Sequence, residues 1–393
     1  MGDSYAAGIG AGSIDHYTDA CLRYLSAYGP VLQNDAIHAE KFNYVACVGE
    51  TFDAIIKNQF IDSTINPYTR PVWGDKPEFV TLSMGGNDIG FKELVTRCIY
   101  DMTQFTSLDC QTVIGQSRAK LEDPDFITGA VDVINKAIQK AQSKGLPPSF
   151  KVFVVGFAQF FNEQRPQCDT QWLYVPKILH PISQSDRGAN LTTPLRQQLN
   201  LLARDLNIHL KTAVMRANIT SPNQAFFVDW DAQYTGHRFC DRDEPNPADP
   251  ETWFFTFDST DETKFSSLQP NFPAFYSFLT GKQSVADEAA AAQLLAQGIG
   301  NDEGKGKQGV DNGVGWFRVF HPKSVGHQTI EAVLRTDVQR VIADNGAGGT
   351  ESSTSVAAQS VRVPEPTAQA PPPTSGTTGD IPSRRRRGLG TDE

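Results

Sequence analysis

The feature that most constrains the fold of this chain is an alternation of short apolar runs with longer amphipathic segments. Three runs rich in β-branched and aromatic residues have the length of buried strands: Phe79–Met84, Phe150–Phe157 and Ala225–Trp230. Apolar residues recur at helical spacing over 128–144, Pro194–Ala217 and Ser324–Asp344. The alternation predicts an α/β fold with a mostly parallel central sheet, in which ligands bind beyond the carboxyl ends of the strands.

The chain divides by composition into a folded part and a tail. Residues 1–345 carry the strand and helix patterns and are predicted to form one domain. Within it, residues 245–312 are rich in Asp, Gly, Pro and Phe and break the alternation, so we expect an insertion there. Residues 346–393 are rich in Pro, Ser, Thr and Gly, a composition too polar to offset chain entropy, and are predicted to be disordered. The run Arg384–Arg387 in this tail is interpreted as solvated, with a localisation signal or processing site as the alternative.

Charge and hydropathy exclude several classes of partner. The formal net charge is -10, which argues against nucleic acid or an anionic membrane as the main partner. No apolar run reaches the roughly 18 residues of a membrane-spanning helix, so we expect no transmembrane segment. No Cys-x-x-Cys pair is present, and we expect neither a metal nor an organic cofactor.

The cysteines and two glycosylation motifs bear on the compartment. Six widely spaced cysteines are compatible with three disulfides, but they allow 15 pairings. Six buried thiols in a cytosolic enzyme are the alternative. The motifs Asn190-Leu-Thr and Asn218-Ile-Thr fit a secreted glycoprotein, although no signal peptide precedes the first motif of the chain.

Four short segments carry residues suited to acyl chemistry. Ser4, in GDSYAAG, precedes a helix-like stretch whose backbone N–H groups favour developing negative charge. Gly49, in ACVGET, lets the backbone approach a ligand closely. Asn87, in GGNDIGF at the end of a strand, has a side-chain amide that can donate to an oxyanion. His321, in FHPKSVGH, titrates near neutrality and can accept a proton from a serine hydroxyl, whereas His327 in the following helix is interpreted as structural.

Each segment has a simpler structural interpretation when taken alone. A serine at this position is more often a helix N-cap, Gly49 suits an ordinary turn, and Gly-Gly-Asn-Asp is a common turn sequence. In this order, however, the four segments resemble the defining blocks of the SGNH hydrolase superfamily, also called GDSL esterases and lipases. The resemblance covers about residues 1–345.

The resemblance implies a fold and a set of roles. The implied fold is a three-layer α/β/α sandwich around a mostly parallel sheet. Ser4 would be the nucleophile and His321 the general base. The backbone N–H groups of Ser4 and Gly49 and the side chain of Asn87 would hold the oxyanion. The cysteines resemble those of a secreted branch of the family, which implies the pairs Cys21–Cys47, Cys98–Cys110 and Cys168–Cys240 and an extracellular location.

Two departures from the family pattern lead to specific expectations. The position three residues before the histidine, usually an acid, is Arg318. We therefore expect a Ser–His dyad in which the Arg318 carbonyl orients the imidazole, with an acid from elsewhere as the alternative. Family members also have a core strand directly before the serine block. We expect that this first strand, with a signal peptide, is missing from the chain as given.

The function predicted from the sequence is hydrolysis of carboxylic esters by a monomer, through an acyl-enzyme on Ser4. The substrate would be a small-molecule, lipid or acylated-carbohydrate ester. Aromatic residues in 253–278 are interpreted either as lining an acyl pocket or as core packing. The alternative function is a non-catalytic protein that binds a glycan or lipid on a degenerate hydrolase fold. An α/β-hydrolase is disfavoured because no G-x-S-x-G pentapeptide occurs.

Overall fold

The structure, a computed structural model, describes nine ranges of the chain: residues 1–15, 21–34, 42–61, 77–101, 108–146, 149–175, 187–242, 251–256 and 318–346. These ranges lie in the unit Met1–Gly348, which separates from Gly349–Glu393. The structure describes only Gly346 of the predicted tail and only residues 251–256 of the predicted insertion, and the rest of both lies outside the described residues.

A parallel sheet forms the centre of the described unit. Strands β1 (Phe79–Leu82), β2 (Lys151–Val155) and β3 (Ala225–Val228) lie in that order, all parallel. Val152 pairs with Val80 on one side and with Ala225 on the other. Every residue of β2 is buried, as expected for a strand covered on both faces.

Helices cover the sheet in two groups. Their bounds are α1 Ser4–Ala7, α2 Tyr28–Leu32, α3 Phe52–Asn58, α4 Phe91–Leu94, α5 Cys110–Glu122, α6 Pro124–Ser143, α7 Thr193–Thr220 and α8 Ser324–Gly346. Helix α7 packs on α5, α6 and β3, while α8 packs on α2 and contacts β2 and β3. The predicted α/β class, with a mostly parallel sheet between helical layers, is confirmed.

Capping residues explain where the long helices begin. Asp123 accepts the N–H of Asp125, and Pro124 occupies the first position of α6, where no N–H is needed. Thr192 accepts the N–H of Leu195 at the start of α7. Their apolar faces then pack on each other and on the sheet.

Residues Met1 to Asp3 extend along β1. The Met1 amino group donates to the Thr81 carbonyl at 2.9 Å, and Gly2 pairs in parallel with Ser83. The Asp3 N–H then donates to Ser83 O at 3.0 Å. These bonds place the residue that follows, Ser4, at the carboxyl end of β1. That a further strand precedes this segment stays a prediction.

Three disulfides link the described residues: Cys21–Cys47, Cys98–Cys110 and Cys168–Cys240. They are the three pairs that the resemblance implied, so this prediction is confirmed. Cys21–Cys47 ties the loop before Gly49 to the chain that follows α1. Cys98–Cys110 ties Val95–Ile99, one turn of π-helix directly after α4, to the start of α5.

Candidate active site

Ser4 is the first residue of α1, a single turn held in place from both ends. Asp3 caps the turn: its carboxylate accepts the Tyr5 N–H at 3.0 Å and the Ser83 hydroxyl at 2.8 Å. Gly8, in the left-handed conformation with φ +64°, ends the turn. Burial raises the pKa of Asp3 to about 6. The Ser4 side chain is thus fixed at the carboxyl end of the sheet, where ligands bind in folds of this class.

Ser4 and His321 meet although 317 residues separate them. His321 Nε2 lies 2.7 Å from Ser4 Oγ, and both side chains are buried. His321 Nδ1 lies 3.1 Å from the carbonyl oxygen of Val319. Because a carbonyl can only accept, Nδ1 carries the proton and Nε2 is left to accept from the serine hydroxyl.

The orientation of His321 differs in one detail from the sequence-based expectation. The carbonyl within hydrogen-bond distance of the ring is that of Val319, whereas Arg318 O accepts the His321 backbone N–H at 2.8 Å. Tight turning of the chain at Phe320, which has φ +63°, brings the Val319 carbonyl round to the ring. Within the ranges described above, no carboxylate hydrogen-bonds the imidazole.

Burial also sets the charge of the imidazole. It lowers the pKa of His321 to about 4, because the charged form is disfavoured away from water, although the backbone carbonyls of Val319 and Arg318 act in the opposite direction. The ring is therefore neutral at pH 7, the form that can accept a proton.

Gly49 and Asn87 belong to two loops that meet beside Ser4. The loop of Gly49 is fixed by the Cys47 N–H, which donates to Gly2 O at 2.9 Å. Gly49 has φ +78°, which favours glycine, and an added Cβ would meet no protein atom within 4 Å. Asn87 lines the same pocket as Ser4, and its Nδ2 donates to Glu50 O at 2.9 Å. Within the part of the chain that the structure describes, the second hydrogen of this amide has no acceptor.

An apolar pocket lies next to Ser4. One wall comes from α4 and the π-helical turn, the opposite wall from α7, and aromatic rings lie between them. Its lining residues include Ile89, Phe91, Leu94, Val95, Ile99, Phe157, Phe160, Phe161, Leu199, Leu202, Ala203, Leu206 and Phe320. Of the aromatic residues in 253–278, Phe254 and Phe255 are fully buried and pack in the core, and residues 257–278 lie outside the described residues.

Comparison with known proteins identifies relatives among the lipases of Streptomyces. Over 162 residues, 41% of this chain, the sequence is 29% identical to a lipase of Streptomyces rimosus and 27% identical to lipase 1 of Streptomyces coelicolor. The predicted resemblance to SGNH/GDSL-type lipases is confirmed. The aligned part is 52% of each relative, so the chain spans about half the length of the curated relatives it matches. No family model matches the chain.

Two solved structures are also similar to this chain. Phospholipase A1 from Streptomyces albidoflavus NA297 has a TM-score of 0.48 at 19% identity, and the extracellular lipase from Streptomyces rimosus has 0.49 at 18%. Each match covers 85% of this chain and 96% of the other. Similarities this weak carry no further argument.

Two residues that help to hold this site in place were not identified from the sequence. Gln59 forms two 2.8 Å bonds with the backbone of Gly2, and the Tyr5 hydroxyl donates to Phe320 O at 2.8 Å. The bond from the Tyr5 hydroxyl links the residue after Ser4 to the residue before His321. Neither residue has a spacing or motif of its own, so only their adjacency to the motif residues could have drawn attention to them.

Proposed function

We propose that the chain hydrolyses carboxylic esters through an acyl-enzyme on Ser4. The observation that carries the proposal is the 2.7 Å contact between Ser4 Oγ and His321 Nε2, with the proton of the ring on Nδ1. A buried serine hydroxyl aimed at a neutral imidazole is the arrangement required for nucleophilic attack with general-base assistance.

The reaction proceeds in two halves. His321 Nε2 takes the hydroxyl proton while Ser4 Oγ bonds to the ester carbonyl carbon. The tetrahedral intermediate collapses, the C–O bond to the alcohol breaks, and His321 returns the proton to the leaving oxygen. A water molecule then attacks the acyl-enzyme, with His321 again as base, and releases the acid.

The oxyanion is held by three donors in this proposal: the N–H groups of Ser4 and Gly49 and the side chain of Asn87. Within the described ranges neither N–H donates to another protein atom, as a preorganised donor for a ligand requires. Such donors act where charge develops in the transition state, which is why each is worth a factor of about 10²–10³ in rate.

The apolar pocket beside Ser4 favours a hydrocarbon acyl group over the acetyl group of a carbohydrate ester. Its distal walls offer aliphatic and aromatic carbon from α4, the π-helical turn and α7. Burial of each methylene there contributes about 0.8 kcal/mol. We therefore propose a lipid ester or another ester with an apolar acyl group as the substrate.

The disulfides bear on the compartment in which the protein is found. Three disulfides persist only in an oxidising compartment, which favours secretion. Among the described residues no helix is long and apolar enough to cross a bilayer. The monomeric state stays a prediction.

The proposal is tested with p-nitrophenyl butyrate hydrolysis and labelling by a fluorophosphonate. We expect Ser4→Ala to lose labelling and at least about 10⁴-fold in kcat, because no nucleophile remains. Asn87→Ala should lose about 10²–10³-fold. The exposed Ser13→Ala is the matched control and should behave as the parent. Labelling of Ser4→Ala at the parental rate would place the nucleophile elsewhere and contradict the proposal. A parent that neither hydrolyses the ester nor takes up the label would favour the non-catalytic binding protein.

A further inference from the structure

Asp88 follows Asn87 in the chain and contacts the loop that carries Gly49. Its Oδ1 accepts the backbone N–H of Phe52, the first residue of α3, at 3.1 Å. Its Oδ2 is buried and has no hydrogen-bond partner among the described residues. The carboxyl group thus lies against the loop and points neither at Ser4 nor at His321.

The bond from Asp88 is one of two that join the same pair of loops. Asn87 Nδ2 donates to Glu50 O at 2.9 Å, and Asp88 Oδ1 accepts from Phe52 N two residues further on. Consecutive side chains therefore bind alternate residues of the segment that follows Gly49. On the other side of Gly49 the loop is held by the Cys47–Gly2 bond, so the two bonds constrain the distance and the direction of the segment that follows Gly49.

The orientation of the Asn87 amide depends on this arrangement, because the same NH₂ group binds Glu50 O and would donate to the oxyanion. One hydrogen of its amide is used by Glu50 O, so the direction of the second is set by the position of the Glu50 carbonyl. If Phe52 shifts, the Glu50 carbonyl shifts with it, and both the amide of Asn87 and the N–H of Gly49 change direction.

We propose that Asp88 is a positioning residue that fixes the spacing of the two oxyanion donors supplied by Gly49 and Asn87. The inference rests on the proposed ester hydrolysis. Asp88 itself touches no reacting atom, and the property that matters is its capacity to accept the Phe52 N–H.

The acceptor role separates a nearly isosteric substitution from one that truncates the side chain. Asp88→Asn keeps an oxygen at the position of Oδ1 and removes the charge, whereas Asp88→Ala removes the acceptor. Asp132→Ala is the matched control, because Asp132 is an exposed acid on a different helix, α6.

The experiment measures kcat and KM for p-nitrophenyl butyrate, with the melting temperature of each variant. A displacement of catalytic groups by about 1 Å can cost about 10²-fold. We expect Asp88→Ala to lower kcat about 10- to 100-fold with KM within about twofold of the parent. Asp88→Asn should recover kcat to within about threefold, and Asp132→Ala should match the parent.

A double-mutant cycle measures the coupling between Asp88 and Asn87, which a general loss of stability would not produce. On an Asn87→Ala background one donor is already gone, so Asp88→Ala should cost less than about threefold there. Independent multiplication of the two losses would overturn the inference. So would parental kcat in Asp88→Ala, or an Asp88→Asn variant as slow as Asp88→Ala.

Misfolding of Asp88→Ala would not stop the test, because Asp88→Asn and its cycle with Asn87→Ala still decide it: a tenfold or larger loss in Asp88→Asn overturns the acceptor role. Failure of the proposed function is recognised separately. If Ser4→Ala retained parental turnover, ester hydrolysis at this site would be wrong. If Ser4→Ala were inactive and Asp88→Ala parental, only the role of Asp88 would fall.

Discussion

A backbone carbonyl orients His321, and this affects the charge and the basicity of its imidazole. The Val319 carbonyl fixes the tautomer as a carboxylate would, but it brings no negative charge to stabilise the imidazolium. With no such charge, burial dominates and the pKa of His321 falls to about 4. The ring is a weaker base than a free imidazole, but it stays neutral over a wider range of pH.

The pH dependence of kcat/KM follows from this shift. The rate requires neutral His321, so activity on an uncharged ester should persist at pH 5 and decline only as the pH approaches about 4. Burial raises the pKa of the nearby Asp3 to about 6, so Asp3 could itself cause a change of activity at that pH. Asp3→Asn, which removes this titration, is the control. In it the decline of kcat/KM near pH 4 should remain. A decline of kcat/KM near pH 6.5 in both the parent and Asp3→Asn would contradict the prediction.

Stability must be followed in the same titration. The pKa values of the folded state, about 4 for His321 and about 3 for His327, lie below the ordinary value of 6.5. Below pH 6.5 these two histidines therefore bind more protons in the unfolded chain than in the folded one, and their contribution to the free energy of unfolding falls as the pH drops. Asp3 and Asp88, whose pKa values burial raises from 3.8 to about 6, contribute in the opposite direction. Circular dichroism at each pH separates loss of fold from protonation of the base.

The residues that could be predicted from the sequence are those with a motif around them. Ser4, Gly49, Asn87 and His321 lie in recognisable blocks. The structure brings the Ser4 hydroxyl to the His321 ring and places Asn87 in the same pocket as Ser4. The acceptor for the His321 ring was assigned to Arg318 because sequence spacing gives no dihedral angle. The left-handed turn at Phe320 presents the Val319 carbonyl instead, and that turn is a property of the folded chain.

At the scale of elements, strands and long helices were predicted well because burial imposes a period on their sequence. The predicted strands run past the observed ends: Phe79–Met84 contains β1, which stops at Leu82, since the apolar residues that follow enter the site loop. Helix α5 was missed because few of its residues are apolar and buried. The walls of the pocket, α4 with its π-helical turn and α7, come together only in three dimensions.

Helix α7 offers a direct test of the acyl pocket. Ala203 is a small, buried residue of the pocket wall, and Ala203→Phe would fill space that a long acyl chain needs. We expect kcat/KM for p-nitrophenyl octanoate to fall about tenfold or more relative to the acetate, consistent with about 1–3 kcal/mol for loss of apolar contacts. Met215→Phe, exposed on the same helix, is the control. An unchanged octanoate-to-acetate ratio in folded Ala203→Phe would place the acyl chain elsewhere.

At the scale of the whole molecule, the disulfides cross-link segments of very different separation. Cys98–Cys110 closes a separation of 12 residues, Cys21–Cys47 one of 26, and Cys168–Cys240 one of 72. The longest link joins the chain after β2 to the chain after β3, and the shortest holds only the wall of the pocket. Removing a cross-link enlarges the entropy of the unfolded chain more when the closed loop is longer.

Loss of the longest disulfide loop and loss of the shortest should therefore have different effects on stability and on activity. We expect the double variant Cys168→Ala/Cys240→Ala to lose about 4 kcal/mol of unfolding free energy, and Cys98→Ala/Cys110→Ala about 3 kcal/mol. Urea unfolding monitored by fluorescence measures both. Because the shorter link secures the π-helical turn that lines the pocket, its loss should lower the octanoate-to-acetate ratio of kcat/KM, whereas loss of the longer link should leave that ratio unchanged in the folded protein. The reverse order of stability would mean that structure remaining in the unfolded chain, rather than loop length, determines what each disulfide contributes.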